Sequence, residues 1–271
     1  MNYNAPMTTS EAEHNKRIRE QFTQQAIPFT QLKGHLDSVD LLINLSKVGS
    51  DDTVLDVACG PGLVACEFAR FAKNVTGIDL TEKMIEEARR RQASEALSNM
   101  DWRIGSATEL PFENDRFSVV ISRYTFHHFT RPQSVLSEMI RVCRPNGWVL
   151  IADPVLPAHF VDAYNEMERL RDPSHTQALS VEEFDSMITS SGLVEIHRSG
   201  YEVNLELESQ LAASFPNPGD EEKLRSIFRE DLTVNRLGIK TRLVDGEIHF
   251  TYPISVYTGR KAAGLGSGSN G

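Results

Sequence analysis

The stretch RYTFHHF, residues 123–129, brings together side chains suited to proton transfer and to substrate contact. A histidine titrates near neutral pH and can remove a proton from a phenol, an amine or an activated carbon. Because the two histidines are adjacent, we expect their side chains to point in different directions, so that at most one acts on a substrate. We choose His128, because the bulky Phe126 and Phe129 are suited to packing around it, and keep His127 as the second candidate. The alternative is a histidine that backbone hydrogen bonds fix in place and that only shapes the site.

A glycine loop, DVACGPG at residues 56–62, is the second place where the residue types indicate chemistry. Its GPGLVA portion fits the G-x-G-x-x-A fingerprint of dinucleotide sites, but two residues argue against a pyrophosphate. Pro61 has no N–H to donate to a phosphate, and Asp56 would repel a phosphate while suiting an ammonium group. S-adenosylmethionine carries an ammonium group and a sulfonium and has no phosphate. The loop therefore favours this ligand over NAD.

Asp79 lies 19 residues after Gly60, at the end of the next predicted strand. An acidic residue at this position of a nucleotide-binding sheet accepts hydrogen bonds from the ribose hydroxyls of the ligand. NAD and S-adenosylmethionine share that ribose, so Asp79 indicates a nucleoside without choosing between the two. For Asp79 as for Asp56, the alternative is a solvated turn or a helix cap.

Short apolar runs that alternate with helical patterns must position these residues. Strands are predicted at 53–58, 74–79, 100–105, 117–122 and 148–153. Strands separated by helices form βαβ units, which predict a mainly parallel sheet covered by helices on both faces. Ligands of such sheets bind beyond the carboxyl ends of the strands, where the glycine loop and Asp79 both lie.

The remaining segments differ in composition. Residues 1–37 look helical and could close over the site, residues 38–260 form the main domain, and the Gly/Ser-rich residues 261–271 are expected to be a disordered tail. Further helices are predicted at 157–171, at 180–191 and in an acidic insert at about 205–238. The run IHFTYPISVYTGR after this insert predicts a last strand.

Charge and cysteine content limit the classes of protein that fit. The formal net charge is −10 and the pI is about 5.3, which argues against nucleic acid and against an anionic membrane surface as partners. The cysteines Cys59, Cys66 and Cys143 form no CxxC pair, so we expect buried free thiols. The acids and histidines show no metal-ligand spacing, so no metal is expected. The polar amino terminus and the lack of a long apolar run favour a cytoplasmic protein.

Four stretches in order resemble the successive motifs of the class I S-adenosylmethionine-dependent methyltransferases. They are VLDVACGPGLVA, VTGIDLTEKMIEEA, GSATELPFENDRFSVVISRYTFHHF and EMIRVCRPNGWVLIADP, and the resemblance is dense over residues 38–155. The branch that the chain resembles most is that of the ubiquinone and menaquinone C-methyltransferases. The resemblance implies a doubly wound, Rossmann-like α/β fold, with a seven-stranded, mostly parallel sheet whose last strand is reversed.

The resemblance also implies which residues hold the cofactor. The backbone at Ala58, Gly60 and Gly62 would approach the methionine part, Asp79 would take the ribose, and Leu80 would pack on adenine. The motif that reads adenine begins at Ser106 and Ala107, where the family usually has an aspartate at the first position. The Ser106 hydroxyl would still accept a hydrogen bond from the adenine amine, without the assistance of a charge.

Other residues at the same edge are assigned to the methionine end and to the substrate. Arg123 would bind the methionine carboxylate, and the alternative is a surface salt bridge. Tyr124 would face the substrate, together with Phe22 and Phe29 of the N-terminal segment, for which core packing is the alternative.

The predicted function is transfer of a methyl group from S-adenosylmethionine to an O, N or C nucleophile of a small molecule, with S-adenosylhomocysteine as the product. One alternative is a cyclase or isomerase that binds S-adenosylmethionine and keeps it intact, since a fold does not determine the chemistry. Another is an interaction protein without catalysis. A homodimer is left open.

Overall fold

The computed structural model describes residues 9–28 and 38–263. Within these residues, two helices precede the first strand, α1 (Thr9–Gln25) and α2 (Val39–Ser46). Phe29 and most of the tail predicted at 261–271 lie outside the described residues. Among the residues that are described, no helix has the length and apolar character needed to cross a membrane.

The strands of the described chain form one sheet. In chain order they are β1 (Thr53–Val57), β2 (Asn74–Asp79), β3 (Met100–Ile104), β4 (Phe117–Arg123), β5 (Cys143–Pro154), β6 (Leu193–Glu206), β7 (Arg242–Val244) and β8 (Glu247–Lys261). Seven of them lie in the order β3-β2-β1-β4-β5-β8-β6, and the short β7 pairs with β8 beside this path. The pairs from β3 to β5 are parallel, whereas β8 runs antiparallel to both β5 and β6. The predicted mostly parallel sheet with a reversed last strand is confirmed, and β7 is an addition to it.

Helices pack on both faces of this sheet. They are α3 (Leu63–Ala69), α4 (Glu82–Ser94), α5 (Pro132–Val142), α6 (Ala158–Arg171), α7 (Val181–Thr189), α8 (Leu207–Ser214) and α9 (Asp220–Val234). Successive strand residues point to opposite faces, so Val54 joins one apolar cluster and Leu55 the other. The cluster around Val54 includes residues of α2, α3 and α6, and the cluster around Leu55 includes residues of α5 and α7. The sheet is therefore a buried layer between two layers of helices.

Helices α7 and α4 start in different ways. Ser180 and Glu183 form a capping box at the start of α7, with both reciprocal hydrogen bonds present. Thr81 starts α4 without a side-chain cap, and its hydroxyl oxygen is buried with no partner among the described residues. The three cysteines are buried free thiols, as predicted. No group of metal-ligating side chains occurs in the parts of the chain at 9–28 and 38–263.

Candidate active site

The carboxyl ends of β2, β1 and β4 lie side by side because these strands are neighbours in the sheet. The end of β1 continues into the glycine loop, β2 ends at Asp79, and β4 ends at Arg123. A single cavity runs along this edge and is lined by Asp56, Asp79, Arg123 and both histidines of the RYTFHHF stretch. Residues from distant parts of the sequence thus share one space.

Asp79 holds the glycine loop against the start of α4. One carboxylate oxygen, Oδ2, accepts a hydrogen bond from the backbone N–H of Gly60 at 2.9 Å, and Oδ1 accepts one from the N–H of Thr81 at 2.8 Å. Burial raises the pKa of Asp79, and these hydrogen bonds oppose the rise. Each carboxylate oxygen can accept a further hydrogen bond, so the group can take ribose hydroxyls while it keeps the loop in place.

Asp56 is buried, and its Oδ2 has no hydrogen-bond partner among the described residues. Burial, and after it the negative charge of Asp79, raise the pKa of Asp56 to about 8. A buried carboxylate oxygen without a partner is costly, so a cation beside Asp56 would stabilise its charged form. The ammonium and sulfonium groups of S-adenosylmethionine are such cations, and these carboxylates therefore fit this cofactor better than a phosphate.

The three small residues of the loop have left-handed backbone conformations but different surroundings. Ala58, Gly60 and Gly62 have φ values of 55°, 52° and 76°. A Cβ on Gly60 would meet only the Sδ of Met84, at 4.0 Å, so this face of the loop is open. A Cβ on Gly62 would lie 2.7 Å from the Trp102 ring. Gly60 and Ala58 line the cavity, whereas Gly62 packs against Trp102 of β3, and the role implied for the Gly62 backbone near the methionine stays a prediction.

Leu80, Ser106 and Ala107 line the cavity at the end next to β3. The Ser106 hydroxyl lies 2.8 Å from the Thr108 hydroxyl and accepts a hydrogen bond from the Thr108 N–H at 3.2 Å. This local turn orients the serine oxygen without adding a formal charge, so an adenine amine would meet a neutral acceptor here.

Arg123 is buried, with 8% of its surface exposed, which excludes the surface salt bridge considered as the alternative. Its Nε donates to the Tyr201 hydroxyl at 3.0 Å, and its Nη2 donates to the Tyr124 hydroxyl at 2.8 Å. The two hydroxyls are themselves 2.8 Å apart. Tyr124 has a left-handed backbone with a φ of 58°, a strained state that is common at ligand sites. Arg123 and Tyr124 both line the cavity.

His127 and His128 both face the cavity, contrary to the expectation that adjacent histidines diverge. They belong to a single 3₁₀ turn, Phe126–His128, that follows β4. Their ring centroids are 4.3 Å apart, with an angle of 45° between the ring planes. The expectation assumed that the two histidines lie on a regular α-helix or β-strand. They lie instead on a tight 3₁₀ turn, which directs both rings to the same cavity.

The two histidines differ in what holds them. His127 Nδ1 lies 3.1 Å from both carboxylate oxygens of Asp153. Burial lowers the pKa of His127, but the charge of Asp153 and the hydrogen bond to it raise the pKa by more, so that it lies above the ordinary value of 6.5. An aspartate in this position fixes the tautomer with the proton on Nδ1 and stabilises the ring when it gains a second proton.

His128 is held in its neutral form. Its Nδ1 lies 3.1 Å from the Ser174 carbonyl oxygen and 3.2 Å from the Ser174 hydroxyl, which gives its own proton to Asp172 at 2.6 Å. Because both Ser174 oxygens can only accept here, Nδ1 of His128 carries the proton. Burial, and after it the charge of His127, lower the pKa of His128 to about 3.

Helix α1 covers the cavity with one face, which carries Phe22, a candidate named from the sequence, and five residues that were not predicted. The lining residues recur at intervals of three and four, the spacing of one helical face; they are Glu11, His14, Asn15, Ile18, Phe22 and Gln25. The Phe22 ring meets the His128 ring edge-on at a centroid distance of 5.0 Å. His14 Nε2 lies 2.7 Å from the His128 carbonyl oxygen. The three- and four-residue spacing is present in the sequence, but the face mixes polar and apolar residues. A search for apolar periodicity therefore does not find it.

The far wall of the cavity was also missed. It consists of one face of α6 and the residue after it, together with α8 and β8, and its members are Tyr164, Glu168, Arg171, Asp172, Gln210 and Tyr252. Glu168 and Arg171 form a buried ion pair at 2.6 Å, and the Tyr252 hydroxyl donates to Glu168 at 2.6 Å. The α6 residues among them are brought together by ordinary helical spacing, which any helix has. No sequence motif therefore marks this wall.

Comparison with known proteins relates this site to a common enzyme domain. The family described as "Methyltransferase domain" matches residues 55–151. YcgJ of Bacillus subtilis, described as an uncharacterized methyltransferase, is 28% identical over 189 residues, which are 69% of this chain and 74% of YcgJ. The crystal structure of YcgJ matches 85% of this chain and 100% of its own, with a TM-score of 0.78 at 25% identity.

Two other relatives match shorter regions. YafE of Escherichia coli is 31% identical over 146 residues, which are 52% of this chain and 70% of YafE. The ubiquinone/menaquinone biosynthesis C-methyltransferase UbiE of Roseobacter denitrificans is 37% identical over 103 residues, which are 37% of this chain and 41% of UbiE. The similarity to UbiE is thus confined to less than half of either chain.

Proposed function

The chain belongs to the class I S-adenosylmethionine-dependent methyltransferases, and on this basis we propose that it methylates an O, N or C nucleophile of a small molecule held in the cavity. The observation that carries the proposal is the continuity of this cavity. The same space is lined by Gly60 and Asp79 at one end and by His127 and Phe22 at the other. A cofactor on the glycine loop and an acceptor beneath α1 would therefore meet beside the two histidines.

The cofactor would be held by groups already in place. Asp79 would accept the ribose hydroxyls, the open face at Gly60 would admit the methionine chain, and Asp56 would face its ammonium group. Arg123 would bind the methionine carboxylate from its position between two tyrosine hydroxyls. The bound sulfonium supplies an electrophilic methyl group, so alignment of the acceptor and exclusion of water account for much of the catalysis.

His127 is the better proton acceptor of the two histidines, which reverses the preference drawn from the sequence. Asp153 orients its ring and stabilises the protonated form, whereas the pKa of about 3 leaves His128 a weak base. His127 would take the proton that an OH, NH or CH acceptor loses as its nucleophilic atom is methylated. His128, with Nδ1–H given to Ser174, would shape the pocket and offer Nε2 as a hydrogen-bond acceptor.

A label-transfer experiment tests the proposal. The protein is incubated with S-adenosylmethionine labelled in its methyl group and with a panel of small phenols, amines and activated carbon acids. Movement of the label to a panel member, with formation of S-adenosylhomocysteine, supports the proposal. A product formed while the label stays in the cofactor would establish the cyclase or isomerase alternative. If titration calorimetry shows no binding of S-adenosylhomocysteine, or tighter binding of NAD, the assignment of the site fails.

A further inference from the structure

We propose that the far end of the cavity, between α6, β6, α8 and β8, is a subsite for a neutral, largely apolar acceptor whose hydroxyl group is held by the hydroxyl of Tyr164. This inference rests on the proposed function and adds the chemical class of the substrate. Three observations carry it: an unused tyrosine hydroxyl, charged groups that satisfy one another, and apolar walls.

Tyr164 differs from the other tyrosines that the structure describes. The hydroxyls of Tyr124 and Tyr201 bond to Arg123 and to each other, that of Tyr252 bonds to Glu168, and that of Tyr257 bonds to Asp185 at 2.6 Å. The Tyr164 side chain is buried with 1% exposed and lines the cavity, yet its hydroxyl makes no hydrogen bond within residues 9–28 and 38–263.

The Tyr164 hydroxyl faces the cavity, where a polar group gains from a hydrogen bond with a ligand. The Tyr164 ring is fixed by edge-on contacts with His175 and Tyr252, at centroid distances of 6.5 Å and 6.0 Å. Burial, and after it the charge of Glu168, keep the pKa of Tyr164 well above its ordinary value, so the hydroxyl stays protonated. It can therefore both donate and accept one hydrogen bond with a neutral ligand group.

The charged side chains beside Tyr164 are already occupied. Both carboxylate oxygens of Glu168 accept from Arg171. The Asp172 carboxylate accepts from Gln25 at 3.1 Å and twice from Ser174, at 2.8 Å and 2.6 Å. An acceptor that carries a charge would have to break these pairs or remain unpaired at a buried position. A neutral acceptor neither breaks these pairs nor leaves a buried charge unpaired.

Apolar side chains supply much of the remaining surface. They come from α1, β6, α8 and β8, and they are Ile18, Phe22, Val203, Leu205, Ala213 and Ile254. Gln210 is a second uncharged polar group on this wall, and its Oε1 is buried without a partner among the described residues. Such walls with a few uncharged polar groups suit an apolar body with a hydroxyl.

A matched series of probes tests the class. Dissociation constants for propylbenzene, 4-propylphenol, 4-propylphenyl phosphate and 4-propylbenzylamine are measured by calorimetry on protein saturated with S-adenosylhomocysteine. A neutral hydrogen bond is worth roughly two- to tenfold in affinity, so 4-propylphenol should bind tighter than propylbenzene by about that factor. The phosphate and the ammonium probe should bind at least about tenfold more weakly than the phenol. Stronger binding of either charged probe, or no binding of the phenol, overturns the proposal.

A pair of variants locates the phenol. In Tyr164→Phe, the preference for 4-propylphenol over propylbenzene should fall to about one, because the hydroxyl is gone. In Tyr257→Phe, a matched loss of a buried tyrosine hydroxyl outside the cavity, the preference should persist. An unchanged preference in Tyr164→Phe would place the phenol elsewhere and refute the subsite.

The experiments distinguish a failure of the proposed function from a failure of the subsite. If S-adenosylhomocysteine does not bind, the proposed function fails and the subsite fails with it. S-adenosylhomocysteine can bind and the label can move to an acceptor while a charged probe binds more tightly than 4-propylphenol. In that case the subsite alone is wrong.

Discussion

The imidazole of His127 lies against the carboxylate of Asp153, with Nδ1 at 3.1 Å from both carboxylate oxygens. The same carboxylate accepts the backbone N–H groups of Phe126 and His127, at 3.3 Å and 3.0 Å. Asp153 therefore builds the 3₁₀ turn and orients the ring that the turn carries. One buried side chain on β5 couples the shape of the turn to the protonation of its histidine.

Replacing His127 with Ala should lower kcat by about 10²-fold or more, because the proposed proton acceptor is lost. The affinity for S-adenosylhomocysteine, measured by calorimetry, should change little. His128→Gln is the control, because its amide can still donate to Ser174, and it should keep most of the activity. In the wild type, kcat should rise with pH through an inflection above 6.5, since the pKa of His127 is raised. The opposite ranking of the two variants would assign the base to His128.

Asp153→Asn keeps a hydrogen-bonding side chain but removes the charge, so the pKa of His127 should fall and the inflection in kcat should move to lower pH. The raised pKa of His127 stabilises the fold below the unfolded-state pKa of about 6.5, and this contribution is lost as pH rises through the folded pKa. The loss of Tm caused by Asp153→Asn should therefore be larger at about pH 5.5 than at about pH 8.5. An equal loss at both pH values would contradict this coupling, and Asp185→Asn serves as a control carboxylate.

Asp56 should make cofactor binding depend on pH. Its pKa of about 8 means that the carboxyl group is mainly protonated at neutral pH without ligand, whereas an ammonium group favours the charged form. Binding of S-adenosylhomocysteine should release a proton and strengthen as pH rises toward about 8. Calorimetry in buffers of different ionisation enthalpy measures the released proton. In Asp56→Asn both the proton release and this pH dependence should disappear, and their persistence would assign them to another group.

Gly60→Val should weaken the binding of S-adenosylhomocysteine by at least about tenfold, or about 1.4 kcal/mol. The branched side chain would stand on the open face of the loop, at a φ of 52° that suits glycine. Gly62→Val is the matched variant, and its Cβ would collide with Trp102, so its main effect should be a lower Tm. Normal cofactor binding by a folded Gly60→Val protein would move the site away from this loop.

Ala58→Gly should raise the free energy of unfolding by up to about 1 kcal/mol, because Ala58 has a φ of 55° that a side chain disfavours. Ala65→Gly, in the middle of α3, should lower it by about 1 kcal/mol. Urea unfolding of the two variants checks the opposite signs. A loss of stability in Ala58→Gly would show that its methyl group contributes packing that outweighs the backbone strain.

Features that depend on neighbouring residues along the chain were predictable. The apolar runs before Asp56 and Asp79 mark strands, and parallel strands end at one edge of the sheet, so the two acids had to meet there. The capping box at Ser180 was readable for the same reason, since both of its partners lie within one helical turn.

Features that depend on contacts between distant residues were not predictable. The choice between His127 and His128 depends on Asp153 and Ser174, which lie 26 and 46 residues further along the chain. The unused hydroxyl of Tyr164 is visible only once all potential partners are in place. Gly62 shares the loop with Gly60, yet the position of Trp102 on β3 gives it a packing role.

Helix α1 contributes a wall of the cavity and is attached to the rest of the protein largely through side chains. Glu11 pairs with Arg131 at 2.6 Å, and Gln21 and Gln25 donate to the Ser214 carbonyl at 2.6 Å and 3.0 Å. The acids proposed to face the cofactor, and the pair of His127 with Asp153, are positioned instead by the sheet and its loops. Substitutions on the inner face of α1 can therefore alter which acceptors are admitted while the methyl-transfer machinery is inherited unchanged, so new substrate preferences can evolve through one helix.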